Sequence, residues 1–453
     1  MALKTPTGTF DMLPAEALFW QSFKEKSQEI FGRYGYLPIE TPLFEQTELF
    51  VRGIGEATDV VSKEMFSVIS GGNMAKIMAG EKVSSKSKFS LRPEGTASVV
   101  RAIAQHNLVP QGGAPAKLMY AGPMFRAERP QDGRQRQFNQ IGIECLGASA
   151  PSVDAEAIIM AMRFFESIGL KKENLRLLVN SMGCEKCRPA FRDSVKAFLV
   201  EHHDEMCEEC QGREETNPLR AFDCKKEHCA ELMACAPHIT DALCPECHAH
   251  YEKVKDYLSQ ADIEFIEDYT LVRGLDYYTR TVFEVQVIEG MGSQNAIGGG
   301  GRYDKLMKEI GGPETPGFGF AIGYERCRIA LERQGYVIEA PKNLEFYLAC
   351  VDGSVSGEAF KLMQAFRDAG FVGDMDHQNR SLKGQFKQAG KLEVEYVLVL
   401  GPDELKDGKV TIRDFANHSE ASYYLTELYE ALQNQSNAEE KLSLKVFLNT
   451  LTK

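Results

Sequence analysis

The sequence predicts an α+β core built on an antiparallel sheet, followed by a C-terminal α/β domain. Three stretches carry that expectation. The first is Met119–Gly147, which reads as two strands joined by a charged turn, with Pro130, Asp132 and Gly133 as turn residues. The second is the one-sided strand that ends in Val282, Phe283, Glu284, Val285, Gln286 and Val287. A glycine turn and a returning strand follow it. The third lies beyond Pro341, where strands and helices alternate for about 90 residues, as a parallel sheet requires.

Taken in order, residues 14–34 have helical periodicity, with Leu18, Phe19, Phe23, Ile30, Phe31 and Tyr34 recurring on one face. Gly35 and Pro38 end that helix, and two prolines keep the following LPIETPLFE extended. Residues 70–88 are rich in Gly, Ser and Lys and read as a loop. Phe89–Arg92 is a short strand, and Thr96 is placed to cap a helix to about His106. Glu94, Gly95 and Thr96 occupy that strand-to-helix corner, as a capping turn or as a functional loop.

In the hairpin, Ile141, Ile143 and Cys145 point to a core face. Arg136, Phe138, Gln140, Gly142 and Glu144 share the other. A solvated face favours Lys and Glu and seldom sets a glycine between Gln and Glu. A helix over 152–169 and a strand from Leu175 to Asn180 come next, and residues 181–260 read as a cysteine-rich insertion.

After the insertion, LVRGLDYYTR leads into the one-sided strand. Its turn is Gly290 to Ser293, and the return ends in Gly298 to Gly301. Those glycines form no phosphate loop, because no Gly-Lys-Ser/Thr follows. Residues 315–334 are a glycine-punctuated strand turning into a helix that opens with Glu325 and Arg326. In the C-terminal domain, 341–430, Lys383, Lys387 and Lys391 share a helical face, which suits solvent or RNA. Residues 431–453 read as a polar tail.

At 453 residues the chain holds two or three domains. Its 43% hydrophobic and 26% charged content is that of an ordinary globular protein. No run reaches about 18 apolar residues, and the first residues lack a signal peptide's apolar core, so the expected location is cytoplasmic. A net charge of -13 weighs mildly against nucleic acid, but Arg126, Arg129, Arg134 and Arg136 make a local basic patch.

Of twelve cysteines, nine fall between Cys184 and Cys247. Cys184-x-x-Cys187, Cys207-x-x-Cys210 and Cys244-x-x-Cys247 have zinc-knuckle spacing. Cys224, Cys229, Cys235, His248 and His250 lie nearby. A structural Zn2+ suits that spacing, and the spacing alone leaves the metal open.

The hairpin resembles motif 2 of the class II aminoacyl-tRNA synthetases, beginning at Phe125, Arg126 and Glu128. FRAERPQDGRQRQFNQIGIE is similar to the version in the histidyl-tRNA synthetase family, and LVRGLDYYTR resembles that family's own signature. Gly317, Gly319, Gly323, Glu325 and Arg326 match motif 3, and the opening helix and strand resemble motif 1, which builds the family's homodimer interface. The resemblance runs from about residue 5 to about residue 430. It implies a class II catalytic core over 1–340 and an anticodon-binding domain over 341–430.

The resemblance also implies ligation of L-histidine to tRNA(His) through a histidyl-adenylate, using ATP and Mg2+. By that pattern Arg126 and Arg273 are catalytic, holding the α-phosphate and the attacking carboxylate. Glu94, Gly95, Thr96 and Gln140 belong to the α-amino end of histidine, and Glu144, Tyr277 and Tyr278 to its imidazole. Glu128, Arg134, Phe138 and Arg326 belong to ATP, with Phe138 on adenine and Arg326 on the γ-phosphate. Arg129 and Gln131 meet the tRNA acceptor end.

These residue types suit that chemistry, because nucleotidyl transfer needs mainly positioning and charge neutralisation. Two rival functions remain. A non-catalytic regulatory paralogue of the kind serving ATP phosphoribosyltransferase would share the core, but generally lacks the C-terminal domain. A zinc-dependent nucleic-acid-binding module would use the cysteine block, which is too small to account for the rest of the chain.

Overall fold

The hairpin supplies the second and third strands of an eight-stranded sheet. The computed structural model describes residues 3–451 apart from 57, 85–86, 111–112, 225, 273–274, 276, 292–293, 339–343 and 416. Two compact units divide the chain, Met1–Ile338 and Glu339–Lys453. Pro341, where composition changes, lies outside the described residues.

In the first unit, six strands pair antiparallel in the spatial order Ala116–Phe125, Gln137–Leu146, Gly317–Gly323, Ala296–Arg302, Thr279–Val287 and Leu175–Ser181. Short parallel strands, Leu37–Pro38 and Ile266–Glu267, close the two edges. The expected antiparallel α+β core is present. The turn after Thr279–Val287 lies partly outside the described residues, at 292–293.

One face of this sheet buries Ile141, Ile143, Cys145, Phe283, Val285 and Val287. Helices Pro14–Gly32, Pro151–Ser167 and Tyr324–Arg333 cover it through residues such as Phe31, Phe164 and Leu331. The opposite face meets helices Thr96–His106 and Leu306–Glu309 through Val99, Ile103 and Leu306. Both faces are therefore covered in part, and Glu144, expected on an open face, is fully buried.

Several local expectations need correction. Thr96 does not cap its helix. The Glu94 carboxylate accepts the backbone N–H groups of Thr96 at 2.6 Å and Ala97 at 2.9 Å, because a longer acidic side chain reaches those free donors. Residues 70–88 are not all loop: Gly71–Met78 is a helix capped by Ser70, with no buried residue. Helix Pro245–Gln260 gives Cys247 to the insertion's core and Tyr251, Val254 and Leu258 to the sheet's, so one helix serves both.

At the heart of the first unit lies a buried ionic network. Arg302 Nε donates to both Asp154 oxygens, at 3.1 and 3.2 Å, and neither side chain is exposed. Asp154 also meets His250 Nε2 at 2.8 Å. Burial raises the Asp154 pKa, but His250 and Arg302 more than offset it and hold the carboxylate below its usual value. Asp154→Ala is expected to destabilise the chain by about 3–5 kcal/mol, because it strands a buried guanidinium. Denaturant unfolding checks this, and a loss below about 1 kcal/mol would mean that water or a shift compensates.

The second unit has a five-stranded mixed sheet. Gly373–Met375, Phe346–Cys350 and Tyr396–Leu400 are parallel, as expected. Lys409–Asp414 and Ser419–Tyr424 then add an antiparallel hairpin that the strand–helix alternation did not reveal. Lys383, Lys387 and Lys391 are exposed on helix Leu382–Lys391. The expected polar tail is instead structured. Helix Leu425–Asn437 runs into it, and Leu444–Thr450 buries Leu444, Phe447 and Leu448 at i, i+3, i+4 spacing.

Candidate active site

Where the sheet is left uncovered, a cavity of about 230 Å³ opens. Glu94, Thr96, Arg126, Glu128, Arg134, Phe138, Gln140, Tyr277, Tyr278 and Arg326 all line it. These residues are distant in sequence. The strand-to-helix corner brings the first two, the hairpin the next five, and the motif 3 helix brings Arg326.

Its polar end is a guanidinium cluster. Arg126 Nε donates to the Pro93 carbonyl at 3.0 Å, and its cation faces the Phe138 ring at 5.3 Å. Arg134 pairs with Glu128 at 2.7 Å. Arg326 donates to the carbonyls of Gly133 at 3.0 Å and Ala296 at 2.7 Å, and to Gln294 Oε1 at 2.9 Å. Those bonds use three of its five N–H donors and fix its direction. Burial first, then the charges of Arg134 and Arg126, hold the Arg326 pKa below its usual value. A polyanion here would relieve that repulsion.

Glu325, beside Arg326, also lines the cavity but is engaged with the hairpin. Its carboxylate accepts the Asn139 backbone N–H at 2.8 Å and Asn139 Nδ2 at 3.0 Å, and burial pushes its pKa up to about 7. This pins the motif 3 helix to the hairpin strand, so the two arginine-bearing elements cannot drift apart.

The other end is narrow and buried. Gln140 Oε1, Glu144 Oε1 and the Tyr120 hydroxyl are buried with no hydrogen-bond partner among the described residues. Thr96 and Tyr120 lie near enough to Glu144 to lower its pKa, so these groups form one polar cluster, with Gln140 Oε1 the atom in it left for a polar ligand. Gly142 and Gly319 are small for a reason: a Cβ on the first would collide with the Tyr120 hydroxyl, and on the second with the Glu144 carboxylate.

Glu144 itself stands behind the cavity wall, hydrogen-bonded by the Tyr303 hydroxyl. Desolvation pushes its pKa up to about 8, with the Glu94 charge adding and the Tyr303 bond opposing. Gly95 also sits behind the wall, against the Tyr120 ring. Arg129 and Gln131 are exposed at the hairpin turn. Arg273 lies outside the described residues. Leu275 and Tyr277, from the same segment, do line the cavity.

Tyr120 and Tyr303 were not among the expected site residues. Tyr120 shares the Gln140 face because it pairs with Gly142 across the hairpin, a register that could have been counted from the turn. Tyr303 follows Gly298–Arg302 directly, but its approach to Glu144, 159 residues away, leaves no local sequence mark.

An antiparallel sheet with a glycine-lined floor, an arginine on its hairpin and another at the following helix is the architecture of a class II aminoacyl-tRNA synthetase. Comparison with known proteins agrees and narrows it. Residues 8–327 match the family model described as histidyl-tRNA synthetase, and residues 345–435 match an anticodon binding domain. The chain belongs to the histidyl-tRNA synthetase family.

Histidine–tRNA ligase of Desulforamulus reducens is 45% identical over 94% of this chain and 98% of the relative. The Moorella thermoacetica ligase is 46% identical, covering 91% and 94%. The apo histidyl-tRNA synthetase of S. aureus superposes with a TM-score of 0.77 at 34% identity, covering 95% of this chain and all of that one. No helix among the described residues is long and apolar enough to cross a membrane.

Proposed function

We propose that the cavity holds ATP and L-histidine side by side, joins them as histidyl-adenylate, and passes the acyl group to the 3′-terminal ribose of tRNA(His). The convergence of Arg126, Arg134 and Arg326 beside the buried Gln140–Glu144 end carries this reading. One end suits a polyphosphate and the other a small zwitterion with a polar side chain.

Arg126 stands between the two ends. It neutralises the α-phosphate and the histidine carboxylate that attacks it, with Arg273 as the second cation. Phe138 offers its ring to adenine, and Arg326 holds the γ-phosphate of the leaving pyrophosphate. Glu94, Thr96 and Gln140 hold the α-amino group. Glu144 and Tyr278 read the imidazole, with Tyr303 fixing the Glu144 carboxyl. Arg129 and Gln131, exposed at the turn, are free to meet the acceptor end of tRNA. Glu128 and Glu284 offer the hard oxygen donors that Mg2+ prefers, and with ATP bound the ion would screen the triphosphate charge. We place the protein in the cytoplasm as a homodimer.

ATP–pyrophosphate exchange tested with each of the twenty amino acids separates the alternatives. Exchange with histidine alone supports the proposal. A regulatory paralogue would show no exchange with any of them, but the anticodon binding match over residues 345–435 disfavours that reading.

A chain ending at Ile338 is expected to keep exchange within a few-fold of the full chain. Its tRNA charging should fall by about 10², as when one of two linked binding surfaces is removed. Full charging by a soluble fragment would sink the anticodon role of the second unit. Sedimentation must show an unchanged oligomeric state for either result to count.

A further inference from the structure

The insertion gathers eight of its nine cysteines into two groups of four. Cys184, Cys187, Cys244 and Cys247 form one, and Cys207, Cys210, Cys224 and Cys229 the other; within each, all four sulfurs lie within 4.8 Å of one another. Cys235 is exposed and belongs to neither, and His250 is engaged with Asp154. From this geometry we propose that the insertion holds two structural Zn2+ ions, each bound by four cysteine thiolates, and that the first fixes one wall of the histidine pocket.

The distances choose among cysteine chemistries. Four sulfurs at about 2.3 Å around a tetrahedral ion stand about 3.8 Å apart. Here Cys184 Sγ lies 3.7 Å from Cys187 Sγ and 3.9 Å from Cys244 Sγ, and Cys207 Sγ lies 3.8 Å from Cys224 Sγ. A disulfide needs about 2.05 Å. Backbone N–H groups also aim at the sulfurs, Cys244 N to Cys187 Sγ at 3.1 Å and Cys207 N to Cys229 Sγ at 3.3 Å. Such donors stabilise thiolates.

The insertion has reason to need a staple. Its own core is small: helix Arg188–Glu201 gives Phe191, Val195 and Leu199, and the short helices Glu208–Thr216 and Glu227–Met233 add only Cys210, Cys229 and Met233. Domains of this size often rely on a metal. The second group ties the interior together. The first ties the segment that follows strand Leu175–Ser181 to the start of helix Pro245–Gln260.

That root position connects the first group to the pocket. Gly183, one residue before Cys184, accepts the Arg280 backbone N–H at 2.8 Å, and Met182 N donates to the Arg280 carbonyl at 2.6 Å. Arg188, one residue after Cys187, donates to the Tyr278 carbonyl and to the Met182 carbonyl at 3.3 Å. Tyr278 lines the cavity. Helix Pro245–Gln260, which carries Cys247, is also held to helix Pro151–Ser167 through His250 and Asp154. The pocket half of the proposal rests on the assignment of that cavity to histidine; the metal half does not.

Elemental analysis of the full chain, purified under reducing conditions without chelator, tests the metal. Two equivalents of zinc per chain are expected. Cys184→Ser and Cys224→Ser should each retain about one. Less than a tenth of an equivalent, with the cysteines titrating as free thiols, would overturn the proposal, as would iron in place of zinc. If a variant does not fold, mercurial titration of the wild type replaces it: zinc should appear at one ion per four thiols blocked, and release unrelated to thiol modification would overturn the ligand assignment. For the pocket, Cys184→Ser should raise KM for histidine about tenfold, the scale of one charge-assisted hydrogen bond, while Cys224→Ser leaves it unchanged. Equal effects of the two would overturn the coupling and leave the metal count standing.

Discussion

Glu144→Ala is expected to cut kcat/KM for histidine by about 10³ or more while changing KM for ATP little. Sites that hydrogen-bond a buried polar group discriminate by roughly 10⁴–10⁵ against partners lacking it, and removing the site's own half should approach that scale. Glu144 is fully buried, one oxygen taken by Tyr303 and the other without a partner among the described residues. Alanine would leave the Tyr303 hydroxyl buried and unpaired as well. Steady-state kinetics with each substrate varied decides it. Unchanged histidine kinetics would reduce Glu144 to a packing partner of Tyr303.

The same residue predicts a pH dependence. Burial places its pKa at about 8, against an ordinary value of 4.5. The folded chain thus keeps a proton that the unfolded chain releases. Stability from this group is complete below about pH 4.5, falls as pH rises toward 8, and then levels off. Glu144→Gln removes the titration, so its melting temperature should gain on the wild type between pH 5 and 8. A constant difference across that range would mean that the carboxyl is already ionised.

Arg273→Ala should slow single-turnover adenylate formation by about 10²–10³ at saturating ATP and histidine, the cost of losing one preorganised donor at a developing charge, ~3–4 kcal/mol. Arg273→Lys should recover only part, because an ammonium cannot span two oxygens as a guanidinium does. Neither should lower the melting temperature greatly. The segment supports a role at the cavity, since Leu275 and Tyr277 line it and the Leu271 carbonyl is held by Asn180 Nδ2 at 3.0 Å. The competing account is an ion pair with Asp276, whose loss would unfold the chain rather than slow it. Adenylate formation within threefold of wild type in Arg273→Ala would likewise end the catalytic role.

Much of the fold was legible because it obeys local rules. Period two in Gln137–Leu146 set which side chains face the core, and period 3.6 located helices Pro14–Gly32 and Pro151–Ser167. Errors came where local pattern competes with tertiary context. Residues 431–453 are polar on average, yet Leu444, Phe447 and Leu448 find a groove to fill. Thr96 has the composition of a cap, but Glu94 takes the bond.

By itself the sequence determined the antiparallel core, the α/β character of the chain beyond Pro341, and the hairpin that carries Arg126, Phe138 and Gln140. Each is written in neighbouring residues, where chain connectivity keeps partners close. Only the tertiary structure decided what distant residues do together. Spacing marked three Cys-x-x-Cys pairs without saying which meet; folding joins Cys184 and Cys187 to Cys244 and Cys247, and gives Cys207 and Cys210 the partners Cys224 and Cys229. Likewise Tyr303 reaches Glu144, and Arg326 reaches the hairpin turn at Gly133, across sheet register rather than along the chain. Such pairings depend on which strands lie side by side, and many loop closures of similar entropy are open to one chain until its core chooses among them.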